Sequence, residues 1–183
     1  MDILHHSRID TKKLLFRTKV RQTVRFLNKE GEKPLLTKEI FDSVLKAIPS
    51  TALEVVPFSI ADGTLKVFLT RRSKDDKFWP NQWHCPGTVI INSDLEDGGD
   101  LNKPWKRLKE KELNCTSLPD PVWVGKRHLK TKRGNEIALI NYVEVPMDLE
   151  GGKFFEVDNL PDDLIDHHRI IISEAVKAYK NKK

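Results

Sequence analysis

Between Trp83 and Asn114 the sequence changes character in an order that constrains the rest of the chain. Trp83-His84-Cys85-Pro86-Gly87 reads as an aromatic anchor running into a Pro-Gly turn, and Val89-Ile90-Ile91 follows as an apolar strand. Asp94–Asp100, containing Gly98-Gly99, reads as a flexible acidic loop. It leads into a short helix that ends Arg107-Leu108-Lys109-Glu110-Lys111-Glu112-Leu113-Asn114. Pro104 suits the first turn of that helix, where its missing N–H costs nothing. Trp105, Leu108 and Leu113 need apolar cover, so the helix must lie back on a sheet. At about 100° per residue, positions 108, 111 and 112 share one face, and Glu110 points away from Glu112.

The flanking sequence supplies that sheet. Ala52–Ile60 and Leu65–Thr70 read as strands joined by the tight turn Asp62-Gly63. Val122–Leu129 and Glu136–Val145 form a second pair around the basic hairpin Lys130-Thr131-Lys132-Arg133-Gly134-Asn135. The later strand is apolar on both faces, which places it centrally. Met147–Lys153 is read as a loop with Gly151-Gly152, Phe154–Val157 as a short strand and Ile165–Lys180 as a closing helix. The adjacent His167-His168 lack the i, i+4 spacing of a zinc pair, and are read as helix-face residues with one packed and one exposed. Trp79 or Trp83 could stack a base or sugar; Trp83, beside Pro86-Gly87, reads rather as a core anchor.

Upstream, Phe16, Val20, Val24 and Leu27 recur at helical spacing among seven basic residues and no acids over 11–29. Gly31-Glu32-Lys33-Pro34 breaks that helix, Thr37 caps the next, and Pro49 ends it. The expected organisation is a helical extension over 1–36 and one domain over 37–183. The basic face of 11–29 is read as a solvated surface ahead of a nucleic-acid site, because no aromatics interleave the charges. A hydrophobic content of 38% with 32% charged residues suits a globular chain. No apolar run approaches a membrane span. Met1–Arg17 has no apolar h-region, and the 2 cysteines suggest neither a disulfide framework nor a metal motif, so a cytoplasmic location is expected. Nothing in the sequence opposes oligomerisation.

Strand, glycine turn, acidic loop and helix together resemble the Nudix box, G-x5-E-x7-R-E-U-x-E-E-x-G-U with U aliphatic. Gly87 and Arg107 match the glycine and arginine, with about six extra residues inserted around Asp94–Asp100. The three helix glutamates of the pattern fall on Leu108, Lys111 and Glu112, so one survives. The run R-L-K-E-K-E-L-N is similar to the R-L-x-x-x-E-L-G of GDP-mannose mannosyl hydrolases, whose helix running into a proline and first strand also looks like Ile40–Pro49. The resemblance implies an α/β (α+β) Nudix fold, a mixed curved sheet between helices with an added helical N-terminus.

What the resemblance implies for chemistry is a Mg²⁺ (or Mn²⁺) site built from Glu112, the Gly87 backbone carbonyl and, by a loose alignment, Glu150. Glu112 would be the catalytic carboxylate, and Arg72, Lys111 and Arg127 would meet substrate phosphates. Those mannosyl hydrolases use a late-loop histidine as base; none lies in Met147–Val157, and His84 and His128 are the available substitutes. Thr88 stands at the turn's second glycine, and Val89-Ile90 replace an expected arginine. Two readings follow. One is a Mg²⁺-dependent hydrolase of a nucleoside diphosphate linked to a further group, a nucleotide sugar among the candidates. The other is a catalytically weakened Nudix domain that binds a nucleotide or a protein partner. The helical phase also predicts Leu108 buried and Lys111 at a pocket mouth beside Glu112.

Overall fold

Asp62 and Gly63 both take left-handed backbone, with φ of 52° and 74°, the geometry that a two-residue hairpin needs to follow the strand twist. This turn joins β1 (Ser50–Ala61) to β2 (Thr64–Arg71). The structure, a computed structural model, describes residues 43–44, 46–95, 98 and 100–182. The expected N-terminal extension and the start of the helix before Pro49 lie outside these residues. Where described, that helix closes with the Ile48 N–H donating to the Val44 carbonyl at 3.0 Å.

The remaining strands are β3 (Trp83–His84), β4 (Gly87–Val89), β5 (Val122–Lys130), β6 (Asn135–Glu144) and β7 (Gly152–Glu156). The helices are α1 (Asn102–Lys111) and α2 (Asp166–Lys182). β6 runs parallel to β1 from Ser50↔Glu136 to Phe58↔Glu144 and antiparallel to β5, so it is interior to the sheet as its two apolar faces required. β7 extends the other edge by pairing with β2. It starts two residues earlier than expected, because Gly152 passes against β2 so closely that a Cβ would lie 2.3 Å from the Leu69 carbonyl oxygen.

β1 and β2 pair only from Phe58↔Val67 to Ala61↔Thr64. Below that they splay, and the run from Trp83 to Val89 fills the wedge. β3 pairs with the end of β2 and β4 with the start of β1. Each face of this mixed sheet carries a core. Leu53, Val55, Phe68 and Val143 pack with Trp105, Leu108 and Leu113 from α1 and its C-terminal turn. Val56, Phe58, Leu69, Ile140 and Tyr142 pack with Ile171, Ile172, Ala175 and Tyr179 of α2. The sheet therefore lies between helices. No helix among the described residues is long and apolar enough to cross a membrane.

α1 ends through local chemistry. Glu112 is its C-cap, and Asn114 takes φ 47° where the box pattern has glycine, tolerable for asparagine in this region. The Cys115 N–H reaches back to the Lys109 carbonyl at 3.0 Å, so an end-of-helix carbonyl is satisfied.

Candidate functional site

Alternation along β1 sends Leu53 and Val55 to the α1 face, and Glu54 to the opposite side with Ala52 and Val56. Glu54 is 7% exposed. It pairs across the strands with Gly87, and a Cβ on Gly87 would lie 2.6 Å from both carboxyl oxygens of Glu54. The box glycine is thus fixed by space and not by an unusual backbone angle. Burial raises the Glu54 carboxyl well above the usual carboxylate range. Glu136 on β6 and Glu112 push it the same way, and Arg72 and Arg133 oppose.

Behind Glu54 lies a chain of buried imidazoles. The Cys85 N–H donates to His168 Nδ1 at 3.2 Å, so that nitrogen carries a lone pair. His168 Nδ1 is also 3.8 Å from Glu54 Oε2, within ion-pair distance. We read both groups as neutral, because burial drives the imidazole down and the carboxyl up. His84 donates from Nδ1 to the Cys85 carbonyl at 2.7 Å and accepts at Nε2 from the Thr70 hydroxyl at 3.1 Å. Its pKa falls to about 3, from burial first and then Arg72. His167, ring-to-ring with His168 at 4.5 Å and with Trp79 at 5.4 Å, falls to about 4 for the same two reasons.

Arg72 is the common neighbour of these groups. It leaves the end of β2 with its N–H donating to the Gln82 carbonyl at 3.0 Å. Its side chain is half-buried, and its Nε has no hydrogen-bond partner among the described residues. Its charge reaches Glu54, Asp76, His84, Glu112, Glu136, His167 and His168.

The box helix is anchored by Arg107, which pairs with Asp94 through both guanidinium ends and donates to the Val89 carbonyl at 2.8 Å and Thr88 Oγ1 at 3.2 Å. Asp94 is 4% exposed and accepts from the Ile91 N–H at 2.9 Å. It is a fixed buried partner, which corrects its assignment to a flexible loop.

Of the residues singled out from the sequence, the structure brings Arg72, Gly87 and Glu112 into one neighbourhood. Glu112 sits exposed at the end of α1, yet the protein around its carboxyl raises its pKa, with Arg72 opposing. Arg127 instead projects toward α2 and is ion-paired with Glu174. Glu150 is exposed on the loop before β7. Leu108 is fully buried as expected. Lys111 is exposed, and neither it nor Glu112 lines the cleft between the start of α2 and the β5–β6 hairpin or the one between that hairpin and residues 46–49. His128 contacts Asn135 within its own hairpin. Trp83 packs edge-on to Phe155 against the core, and Trp79 is buried under Arg133 and His167. Of the two histidines, His168 is the packed one, while His167 is half-buried instead of exposed. Sequence reading missed Glu54, Glu136 and His168. Strand alternation could have flagged Glu54, a lone acid in an apolar run.

Among the described residues, no three His, Cys, Asp or Glu side chains come together closely enough to hold a metal ion. The carboxylate whose field meets that of Glu112 is Glu54, and that group is driven toward its neutral form. The residues present therefore do not bring together the three-ligand set that the box resemblance implies; Glu112 and Glu54 are the two of these carboxyls that share the neighbourhood.

No protein-family model and no curated protein sequence matches this chain. Solved structures do. The NUDIX domain of Shewanella oneidensis NrtR, complexed with ADP ribose, superposes with a TM-score of 0.57 at 16% identity over 72% of this chain and 89% of that one. A mutT/nudix family protein from Listeria innocua gives 0.54 at 16% identity, covering 74% and 97%. The Ap4A hydrolase of C. elegans gives 0.51 at 13% identity, covering 73% and 99%. At such identities the likeness establishes the architecture.

Proposed function

We propose that this chain, which has the Nudix fold, is a Nudix-type protein that binds a nucleoside diphosphate derivative, and that recognition persists where the box has lost two of its three helix glutamates. The observation that carries this reading is Arg72, a half-buried guanidinium whose charge bears on a cluster of buried carboxyls and imidazoles. Arginine's planar fork matches diphosphate oxygens. Leu108, where the pattern has a glutamate, is committed to the core under Trp105.

Calorimetric titration with ADP and a panel of nucleotide sugars, with and without EDTA, tests the reading. Binding should survive the chelator, and Arg72→Ala should weaken it by roughly 10- to 100-fold, the scale of a charge-assisted contact. Binding abolished by EDTA, or indifferent to Arg72→Ala, overturns it.

A second reading, divalent-ion-dependent hydrolysis of the same ligand class, is favoured by one observation. The raised Glu112 and Glu54 carboxyls lie within each other's field, and a cation would relieve that strain. Turnover in the parent that falls at least ~10²-fold in Glu112→Gln would establish it. No turnover, with ligand affinity unchanged by Glu112→Gln, leaves the binding reading standing.

A further inference from the structure

A cleft of about 280 Å³ opens between the start of α2 and the basic β5–β6 hairpin, lined by Trp79, Gln82, Lys132, Asp166, His167 and Ile170 among others. Nothing in the box resemblance assigns it a role. Its volume is at the low end for ligand pockets, enough for one nucleoside and too small for a dinucleotide. One wall is the half-buried His167 ring, backed by the buried Trp79 ring with centroids 5.4 Å apart. Facing solvent beside it is Ile170, 45% exposed although it sits on a helix whose next turn supplies core residues. Gln82 offers an amide and Asp166 a carboxylate, suited to a base edge and to sugar hydroxyls. The cleft lies near Arg72, whose charge bears on His167 in the cleft lining and whose backbone N–H donates to the Gln82 carbonyl at 3.0 Å.

We infer that this cleft receives the nucleoside half of the ligand, its planar base against Ile170 and His167 and its diphosphate extending past Gln82 to Arg72. This rests on the reading above that Arg72 holds a diphosphate. The two halves divide the work. Arg72 supplies charge for the diphosphate with no preference for what it carries, and the cleft supplies apolar contact and hydrogen bonding that only a nucleoside can use. Lys132 on the hairpin adds positive potential at the mouth, and so favours entry of an anion over a free nucleoside.

Two probes separate the halves: ADP, and inorganic pyrophosphate, which has nothing to place in the cleft. Ile170→Ser and Asp166→Asn alter exposed positions and should leave the fold intact, as circular dichroism would verify. Together they should weaken ADP by about tenfold, the scale of losing one apolar side-chain contact, and leave pyrophosphate unchanged. Arg72→Ala should weaken both probes. Equal loss for both probes in the cleft variant, no loss for ADP, or a parent that binds ADP no better than pyrophosphate overturns the inference while sparing the role of Arg72. A parent that binds neither probe removes both.

Discussion

Gly87→Ala is the most direct test of how the site is built. Gly87 is not among the glycines with left-handed backbone, so alanine meets no conformational obstacle and the substitution isolates a steric effect. The added Cβ would sit 2.6 Å from each Glu54 carboxyl oxygen and 2.7 Å from Cδ, against the ~3.5 Å at which such contacts are most favourable. A carboxylate at the end of a flexible side chain would ordinarily swing aside. Glu54 has little freedom to do so, being 7% exposed with His168 Nδ1 3.8 Å from Oε2. Overpacking of this kind costs about 2 kcal/mol, which lowers the melting temperature by roughly 4–8 °C in a domain of this size.

The measurement is thermal or urea unfolding of the parent, Gly87→Ala, Glu54→Ala and the double variant. Truncating Glu54 makes room for the new methyl, so the two substitutions should not add. The double variant should recover about 1–2 kcal/mol relative to the sum of the singles, within the range seen for residues in contact. A Gly87→Ala protein within ~0.5 kcal/mol of the parent, or a coupling energy near zero, would refute the claim that this glycine exists to accommodate Glu54.

Leu108→Glu restores the box glutamate, yet Leu108 is fully buried in the core with Trp105 and Leu113. The variant should lose at least ~3 kcal/mol of stability or fail to fold, and a well-folded variant that binds Mg²⁺ would show that the position faces the site. Stability should also fall on acidification below pH 6.5. His84 and His167 have folded pKa values of about 3 and 4, so the unfolded chain takes up protons that the folded chain refuses. The limit is about 1.4 kcal/mol per pH unit for each fully buried histidine. The raised Glu54, Glu112 and Glu136 act in the opposite sense, costing stability as pH rises above 4.5. Urea unfolding from pH 7.5 to 4.5 should therefore show a slope that His84→Gln reduces, and an unchanged slope in that variant would contradict the buried, neutral His84.

Periodicity made the sheet and helices legible because they obey local rules. Asp62-Gly63 could only be a hairpin turn, the two-faced apolar run of β6 could only be interior, and Trp105, Leu108 and Leu113 could only face a sheet. The box resemblance located Gly87, Arg107 and Glu112 for the same reason, since their spacing lies within one segment. The carboxyl and imidazole cluster was not legible. Glu54, Glu136 and His168 come from three elements distant in sequence, and the parallel pairing of β1 with β6 and the packing of α2 on that sheet bring them together. Asp94 was misread because an acid beside glycines looks solvated until its arginine partner, 13 residues on, is seen to return to it.

The same convergence bears on which charge the site prefers. Glu54, Glu112 and Glu136 are all shifted toward protonation, and His84, His167 and His168 are all shifted toward the neutral imidazole. Burial is the leading cause in each case, so the surroundings disfavour both signs of charge on these groups. Arginine keeps its charge, since its guanidinium stays protonated at any accessible pH. Arg72 and Arg133 are the cations that oppose the rise of Glu54 and Glu136, and Arg72 alone opposes that of Glu112. An incoming diphosphate would push those carboxyls further toward protonation and so meet less repulsion from them. A divalent cation bound beside them would act in the opposite sense and favour their ionised form. Arg72 and Arg133 are thus where a bound diphosphate would gain most, which is why Arg72→Ala is the substitution that tests the proposed anion site.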